Sequence, residues 1–224
     1  MPTISLKTPA SADAETAAIV TNAPSSEALA STINIPSAFE GEFTAADMRI
    51  PYLAICQKSG KMMDEHPDWL GQFIYDKSVA LGKKINAIFF KVRKFYVEDL
   101  PYGSDGIPQK FDKIADAREA GVDFVEVGEL DCLIEVPEDF DGADPVGDKF
   151  FVPARYTVRS TAYSATVKIL VKDVSLRLKG NLASGLYSIE VEKKTNGSNS
   201  WFAPKLAANG FSSHEAQEYI ASRF

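Results

Sequence analysis

The 224-residue chain is long enough for one domain with a real core, and 45% of its residues are hydrophobic. Its net charge of −7 argues against nucleic acid as a partner, but the charge is unevenly spread: six basic residues and no acidic one lie between Lys77 and Lys94. The N-terminus resembles no secretory signal, and no apolar run could span a membrane, which predicts a cytoplasmic protein. The isolated Cys56 and Cys132 exclude paired zinc ligands, and we expect both to be reduced and buried.

Composition divides the chain into an arm and one domain. Residues 1–40 are rich in Ala, Ser, Thr and Pro, and such a segment buries too little apolar surface to offset the entropy of ordering. We therefore expect a flexible N-terminal arm over residues 1–40 and a single folded domain over 41–224. Within the domain, residues 137–148 form an acidic loop with several Gly and Pro residues. This loop lacks the ligand spacing and closing Glu of a calcium-binding EF-hand, which favours a solvated loop.

The strand candidate over residues 85–97 has the most informative pattern. Read with a period of two, one face alternates aromatic rings with cations: Phe89, Lys91, Arg93 and Phe95. The other face, with Ile88, Phe90 and Val92, is typical of a core. Rings stack on unpaired bases while cations contact the phosphate backbone, so the first face favours single-stranded nucleic acid. The alternative is a second core layer that buries both phenylalanines.

The same combination recurs later in the chain. The strand candidate over residues 150–159 carries Phe151, Arg155 and Arg159 on one face and core residues on the other. A predicted hairpin, with Asn196-Gly197 as its turn, adds Lys193, Lys194 and Trp201. Together these side chains form the candidate nucleic-acid-binding set. None is predicted to be catalytic or to bind a metal or cofactor.

The order of elements predicts a fold. Strand candidates over 85–97, 123–136 and 150–159 precede a helix over 161–179, strands over 186–195 and 200–206, and a final helix that begins near a capping box at residues 212–215. This order predicts a mostly β protein of the α+β class. The specific expectation is a five-stranded OB-fold-like barrel with a helix between strands 3 and 4 and a C-terminal helix.

Four segments resemble phage-encoded single-stranded DNA-binding proteins of the OB-fold type: residues 49–57, residues 71–75, the strand over 85–97, and residues 201–204 with the helix that follows. The resemblance spans about residues 48–224. It implies a protein that is not an enzyme and that coats and protects single-stranded DNA in replication or recombination. The implied partners are single-stranded DNA and replication or recombination proteins in the host cytoplasm; self-association is left open.

Two other functions remain as alternatives. Glu192 and Lys194 match the Glu-x-Lys half of a metal-dependent nuclease, which would also need Asp131 or Glu135 to converge on a Mg²⁺ ion. The second alternative is a phage structural or protein-interaction module, in which the same faces contact a partner protein.

Overall fold

The computed structural model of the protein describes residues 49–58, 62–101 and 104–224; the expected flexible arm, residues 1–40, lies outside this part of the chain. Ten strands and four helices form from the described residues. The strands are β1 (Tyr52–Ile55), β2 (Phe73–Tyr75), β3 (Val79–Gly82), β4 (Lys84–Glu98), β5 (Lys110–Phe111), β6 (Phe124–Val136), β7 (Asp144–Val146), β8 (Lys149–Arg159), β9 (Gly185–Asn196) and β10 (Asn199–Phe211). The helices are α1 (Met62–Glu65), α2 (Ile114–Glu119), α3 (Ser160–Leu176) and α4 (His214–Arg223).

All ten strands belong to one sheet, in the order β10-β9-β4-β6-β8-β1-β2-β3, with β5 added to β4 and β7 added to β8. Neighbours are antiparallel except β1 and β8, which are parallel. The sheet curls into an open half-barrel, and the Gln57 side chain links its two sides. The Gln57 amide donates to the Phe202 carbonyl at 2.7 Å and accepts from the Phe202 N–H at 3.0 Å.

The expected mixed class, mostly β with α, is confirmed, but the sheet has ten strands where five were expected. The five expected strands correspond to β4, β6, β8, β9 and β10, and the expected helix between the third and fourth corresponds to α3. The other strands are two to four residues long. Strands this short show too few alternations for a periodic pattern to reveal them, and of these only β1 was indicated, by the apolar strand candidate over residues 48–56.

The main core lies on the inner face of the curled sheet. Phe73, Phe89, Leu130 and Tyr187 are among its fully buried side chains. Helix α3 packs onto this core through Tyr163, Val167 and Leu170, each of which is shielded from water. Complete burial of one such large side chain stabilises the fold by about 1.5–3 kcal/mol.

Helix α4 covers a second apolar cluster on the opposite, outer face of the sheet. Its Ala216 and Ile220 pack with Ile88, Leu133 and Phe151. The helix begins at the predicted capping sequence, where the Ser213 hydroxyl accepts a hydrogen bond from the Ala216 N–H at 3.2 Å. The outer face is therefore apolar beneath α4, while its exposed side chains lie farther along the strands.

Candidate nucleic-acid interface

A β-bulge in β4 decides which predicted residues reach the outer face. Phe89 pairs with Cys132 and Lys91 pairs with Asp131, so Phe90 is an extra residue between the two pairs. Because an extra residue breaks the period of two, Phe89 lies on the inner face while Lys91 lies on the outer face. The predicted shared face of Phe89 and Lys91 is therefore wrong.

The three phenylalanines that were expected to stack on bases are buried. Phe89 is 0% exposed and packs edge-on to Tyr187, with ring centres 5.7 Å apart. Phe151 lies on the outer face, as expected, but α4 packs on it and leaves it 3% exposed. Phe95 is 9% exposed, and the Lys110 ammonium lies 3.9 Å from its ring centre. The prediction that these rings point outward is wrong, because apolar rings gain more by leaving water than by remaining on a surface.

The cations predicted on the same two strands do share one face. Strand β6 lies between β4 and β8, and the register places Lys91, Asp131 and Arg155 in one row across the three strands. Arg93 and Arg159 follow farther along on the same face. We call Lys91, Arg93, Arg155 and Arg159 the outer strip. Two strand spacings separate its two sides, about 10 Å.

Two acids on β6 partly neutralise the outer strip. Asp131 is 3% exposed and accepts hydrogen bonds from Arg155 at 2.7 and 3.2 Å, and these bonds raise the pKa of Arg155. Glu129 pairs with Arg93 and lies 3.6 Å from Arg155. Lys91 and Arg159 are exposed and pair with no acid in the described part of the chain. Four cations against two acids leave the strip positively charged.

The remaining predicted residues lie on the β9–β10 hairpin. Its two-residue turn is Gly197-Ser198, one residue later than expected. Lys193 and Lys194 are exposed, whereas Trp201 is half-buried and its indole N–H has no acceptor among the described residues. These three side chains do not share the rows of the outer strip, because β4 separates β9 from β6 in the sheet.

Sequence reasoning missed a cleft at the end of the strip. The parallel pairing of β1 with β8 stops at Leu53 and Tyr156, and beyond this point a cleft of about 520 Å³ opens between the strands. Its lining includes Tyr52, Lys77, Thr157, Arg159, Ala162 and Phe202. No pattern in the sequence pointed to this cleft, since it depends on pairing between strands about 100 residues apart. A larger opening of about 660 Å³ includes Lys84 and Glu135, but these charges are paired with Glu190 and Lys149.

The carboxylates of the nuclease alternative do not converge. Glu192 on β9 accepts hydrogen bonds from Lys194 and Lys205, which lower its pKa to about 2. Asp131 and Glu135 lie on β6, across β4 from Glu192. The residues that the structure describes contain no group of three side chains placed to hold a metal ion. The convergence of Glu192 with Asp131 or Glu135, which the nuclease alternative requires, is therefore not found among the described residues.

Comparison with known proteins finds no matching family model, curated protein or solved structure. Cys56 and Cys132 are unpaired and buried, as expected. In the described ranges, no helix has the length and apolar character needed to cross a membrane. Because the comparisons give no relative, the function is inferred from the geometry of this chain alone.

Proposed function

We propose that this chain is a single-stranded DNA-binding protein that coats and protects DNA single strands in replication or recombination. The observation that carries the proposal is the outer strip. Its four cations come from two strands that are distant in sequence, yet they lie on one face of the sheet. Contact with replication or recombination proteins, a phage origin and a location in the host cytoplasm belong to the same proposal.

The chemistry of the outer strip suits a flexible anionic polymer. Lys91 and Arg159 are exposed and unpaired with described acids, so their charges are available to phosphates. Arg155 is held in position by Asp131, which orients its guanidinium before any ligand arrives. Helices α3 and α4 pack onto the two faces of the sheet, whereas duplex readers place a helix in the major groove. The exposed sheet surface is better suited to contact a single strand than to enter the major groove of a duplex.

The order of the long strands supports an OB-fold-like description as part of the proposal. β4, β6 and β8 are successive neighbours, α3 follows β8, and β9 returns to pair with the other side of β4. A partly open barrel of this kind binds oligonucleotides on an exposed strand face. Phe89, Phe95 and Phe151 are buried and cannot stack on bases. Binding by the outer strip is therefore mainly electrostatic.

Removing the two strip cations that pair with no acid among the described residues tests the proposal. The double variant Lys91→Gln/Arg159→Gln should bind fluorescent oligo-dT more weakly at low salt. The plot of log K against log salt should also become less steep by about 1.4, because each lost phosphate contact contributes about 0.7 for a single strand. Fluorescence anisotropy titrations at several NaCl concentrations measure both quantities.

The matched control is Lys168→Gln/Lys172→Gln, which removes two exposed cations from α3 instead. This variant has the same net charge as the first but keeps the outer strip, so its affinity and salt dependence should stay close to those of the wild type. Equal losses in both variants would contradict a localised site. Failure of the wild-type protein to bind oligo-dT at low salt would overturn the function itself.

A further inference from the structure

We infer that the cleft between β1 and β8 receives an unstacked nucleobase from the DNA strand bound on the outer strip. The inference rests on the proposed function and adds to it a subsite for the base, where the outer strip provides only for phosphates. We call this opening the base cleft; the lining residues that the argument uses are those given above.

The base cleft exists because two paired strands separate. β1 and β8 are in register at Tyr52 with Arg155 and at Leu53 with Tyr156, and no further pair follows. At the end of β8, Ser160 adopts a left-handed conformation with φ of 53° and the chain turns directly into α3. Ala162 of α3 therefore lines the cleft. A volume of about 520 Å³ falls within the range of about 300–1,000 Å³ that is usual for small-molecule sites.

The lining combines the chemical groups that a nucleotide needs. Apolar contacts come from Ala162 and Phe202, and the Thr157 side chain adds a hydroxyl. Lys77 and Arg159 are exposed cations that also line the cleft. Past the last paired residues, the backbone edges of β1 and β8 no longer pair with each other. Their peptide groups can therefore form hydrogen bonds with the polar edge of a base.

Tyr52 is placed to stack on the base. It is 41% exposed, whereas the phenylalanines expected to stack are buried. The Arg49 guanidinium lies 5.1 Å from the Tyr52 ring centre and pairs with Asp76 at 3.1 Å, which restrains the ring. The other exposed aromatic rings in the described part of the chain, Phe211 and Phe224, do not line the cleft.

The base cleft and the outer strip form one continuous surface. Tyr52 pairs in register with Arg155, a strip residue, and Arg159 belongs to both the strip and the cleft lining. A strand whose phosphates follow the strip therefore reaches the cleft without leaving the cations. This continuity singles out the cleft over the larger opening near Lys84 and Glu135, whose charges are already paired.

The test compares oligo-dT with an abasic deoxyribose-phosphate oligomer of the same length, by competition in fluorescence anisotropy at low salt. Wild-type protein should prefer oligo-dT by about tenfold or more, the size of effect that aromatic stacking on one base produces. Tyr52→Ala should lose most of this preference while keeping its affinity for the abasic oligomer. Tyr52→Phe retains the ring and should keep the preference. Thermal unfolding of all three proteins should give similar melting temperatures, because the side chain of Tyr52 is exposed.

The outcomes separate the inference from the function on which it rests. If neither oligomer binds, the proposed function is wrong and the base cleft is wrong with it. If wild-type protein binds both oligomers equally, the outer strip is supported and the base cleft is overturned. If Tyr52→Ala keeps the full preference for oligo-dT, bases are held elsewhere and the inference is again overturned.

Discussion

Asp173 on α3 accepts three hydrogen bonds, one of which links the helix to the sheet. Its carboxylate accepts from Arg177 at 2.9 and 2.7 Å and from the Tyr187 hydroxyl at 2.6 Å. The Tyr187 side chain is fully buried, so its hydroxyl depends on this acceptor. The bonds from Arg177, followed by the bond from Tyr187, lower the pKa of Asp173.

The variant Asp173→Ala should lose about 1–3 kcal/mol of unfolding free energy at pH 7, because the Tyr187 hydroxyl is left without its partner. A carboxyl group whose pKa is lowered in the folded state stabilises that state above its ordinary pKa of about 3.9. This stabilisation declines as the pH falls through the lowered folded-state pKa. The difference in unfolding free energy between wild type and Asp173→Ala should therefore become smaller in acid.

Urea denaturation at pH 7 and near pH 3 measures this gap. Asp173→Asn is the matched control, since its amide oxygen can still accept from Tyr187, and it should lose less stability at pH 7 than Asp173→Ala. A gap that stays constant between the two pH values would contradict an ionic contribution from Asp173.

Arg155 shows why a strip residue can also be a structural residue. Its partner Asp131 is 3% exposed, so replacing Arg155 alone would leave a buried carboxylate without compensation. Loss of DNA binding in Arg155→Ala would then not separate folding from function. Lys91 and Arg159 are better test positions, because their side chains are exposed and carry no described acidic partner.

At the scale of elements, α3 sits close to β6 because position 128 is glycine. A Cβ at Gly128 would lie 2.4 Å from Val167 Cγ2 and 3.3 Å from the Tyr163 ring. The distance to Val167 is shorter than real side-chain contacts allow, and the distance to Tyr163 is unusually short. Neither neighbour can move freely, since both belong to the main core. The close approach of helix and sheet therefore requires the absence of a side chain at this position.

The variant Gly128→Ala should lower the unfolding free energy by about 1–3 kcal/mol, the usual cost of overpacking a core. Val167→Ala alone should also destabilise, because it leaves a cavity. Combined, the two changes should cost less than their sum, since the smaller residue 167 makes room for the added methyl group. Urea denaturation of the four proteins measures this coupling, and strictly additive effects would contradict the predicted clash.

Helical spacing in the sequence predicts one apolar stripe, and the structure buries most of it; the predicted residues are Val167, Leu170, Val171, Val174 and Leu178. Val167 and Leu170 of α3 are buried as the pattern predicted, and so is Leu178 just after the helix, but Val171 is 58% exposed. Helical spacing identifies the side of a helix that is apolar. It does not determine how wide a part of that side the sheet covers, because coverage depends on the curvature of the neighbouring strands.

At the scale of the whole molecule, a net charge of −7 coexists with a positive outer strip. The net charge was a poor guide to the charge of this face, because acids and bases occupy different parts of the sequence. The fold brings the cations of β4 and β8 to one face and sets Glu129 and Asp131 of β6 between them. Local charge, not net charge, governs an interaction at this face, since salt screens distant charges over about 10 Å.

Burial of both thiols provides a probe of global unfolding. Cys56 is 1% exposed and Cys132 is 0% exposed, and burial raises the pKa of each thiol. Reaction with a chromogenic disulfide reagent at pH 8 should therefore be slow in the native protein and should accelerate at the urea concentration where the fold is lost. The reagent should label both cysteines in urea, and rapid native labelling of either one would contradict its burial.

The sequence by itself determined the long strands, α3, the hairpin, the start of α4 and the common face of Phe151, Arg155 and Arg159. These features depend on periodicity and on local turn and cap chemistry, which act between residues close in the chain. Only the tertiary structure decided that the bulge turns Phe89 inward, that α4 covers Phe151, and that β1 leaves β8 to open the base cleft. The physical reason is that burial and strand separation depend on contacts between residues far apart in sequence, which no local pattern records.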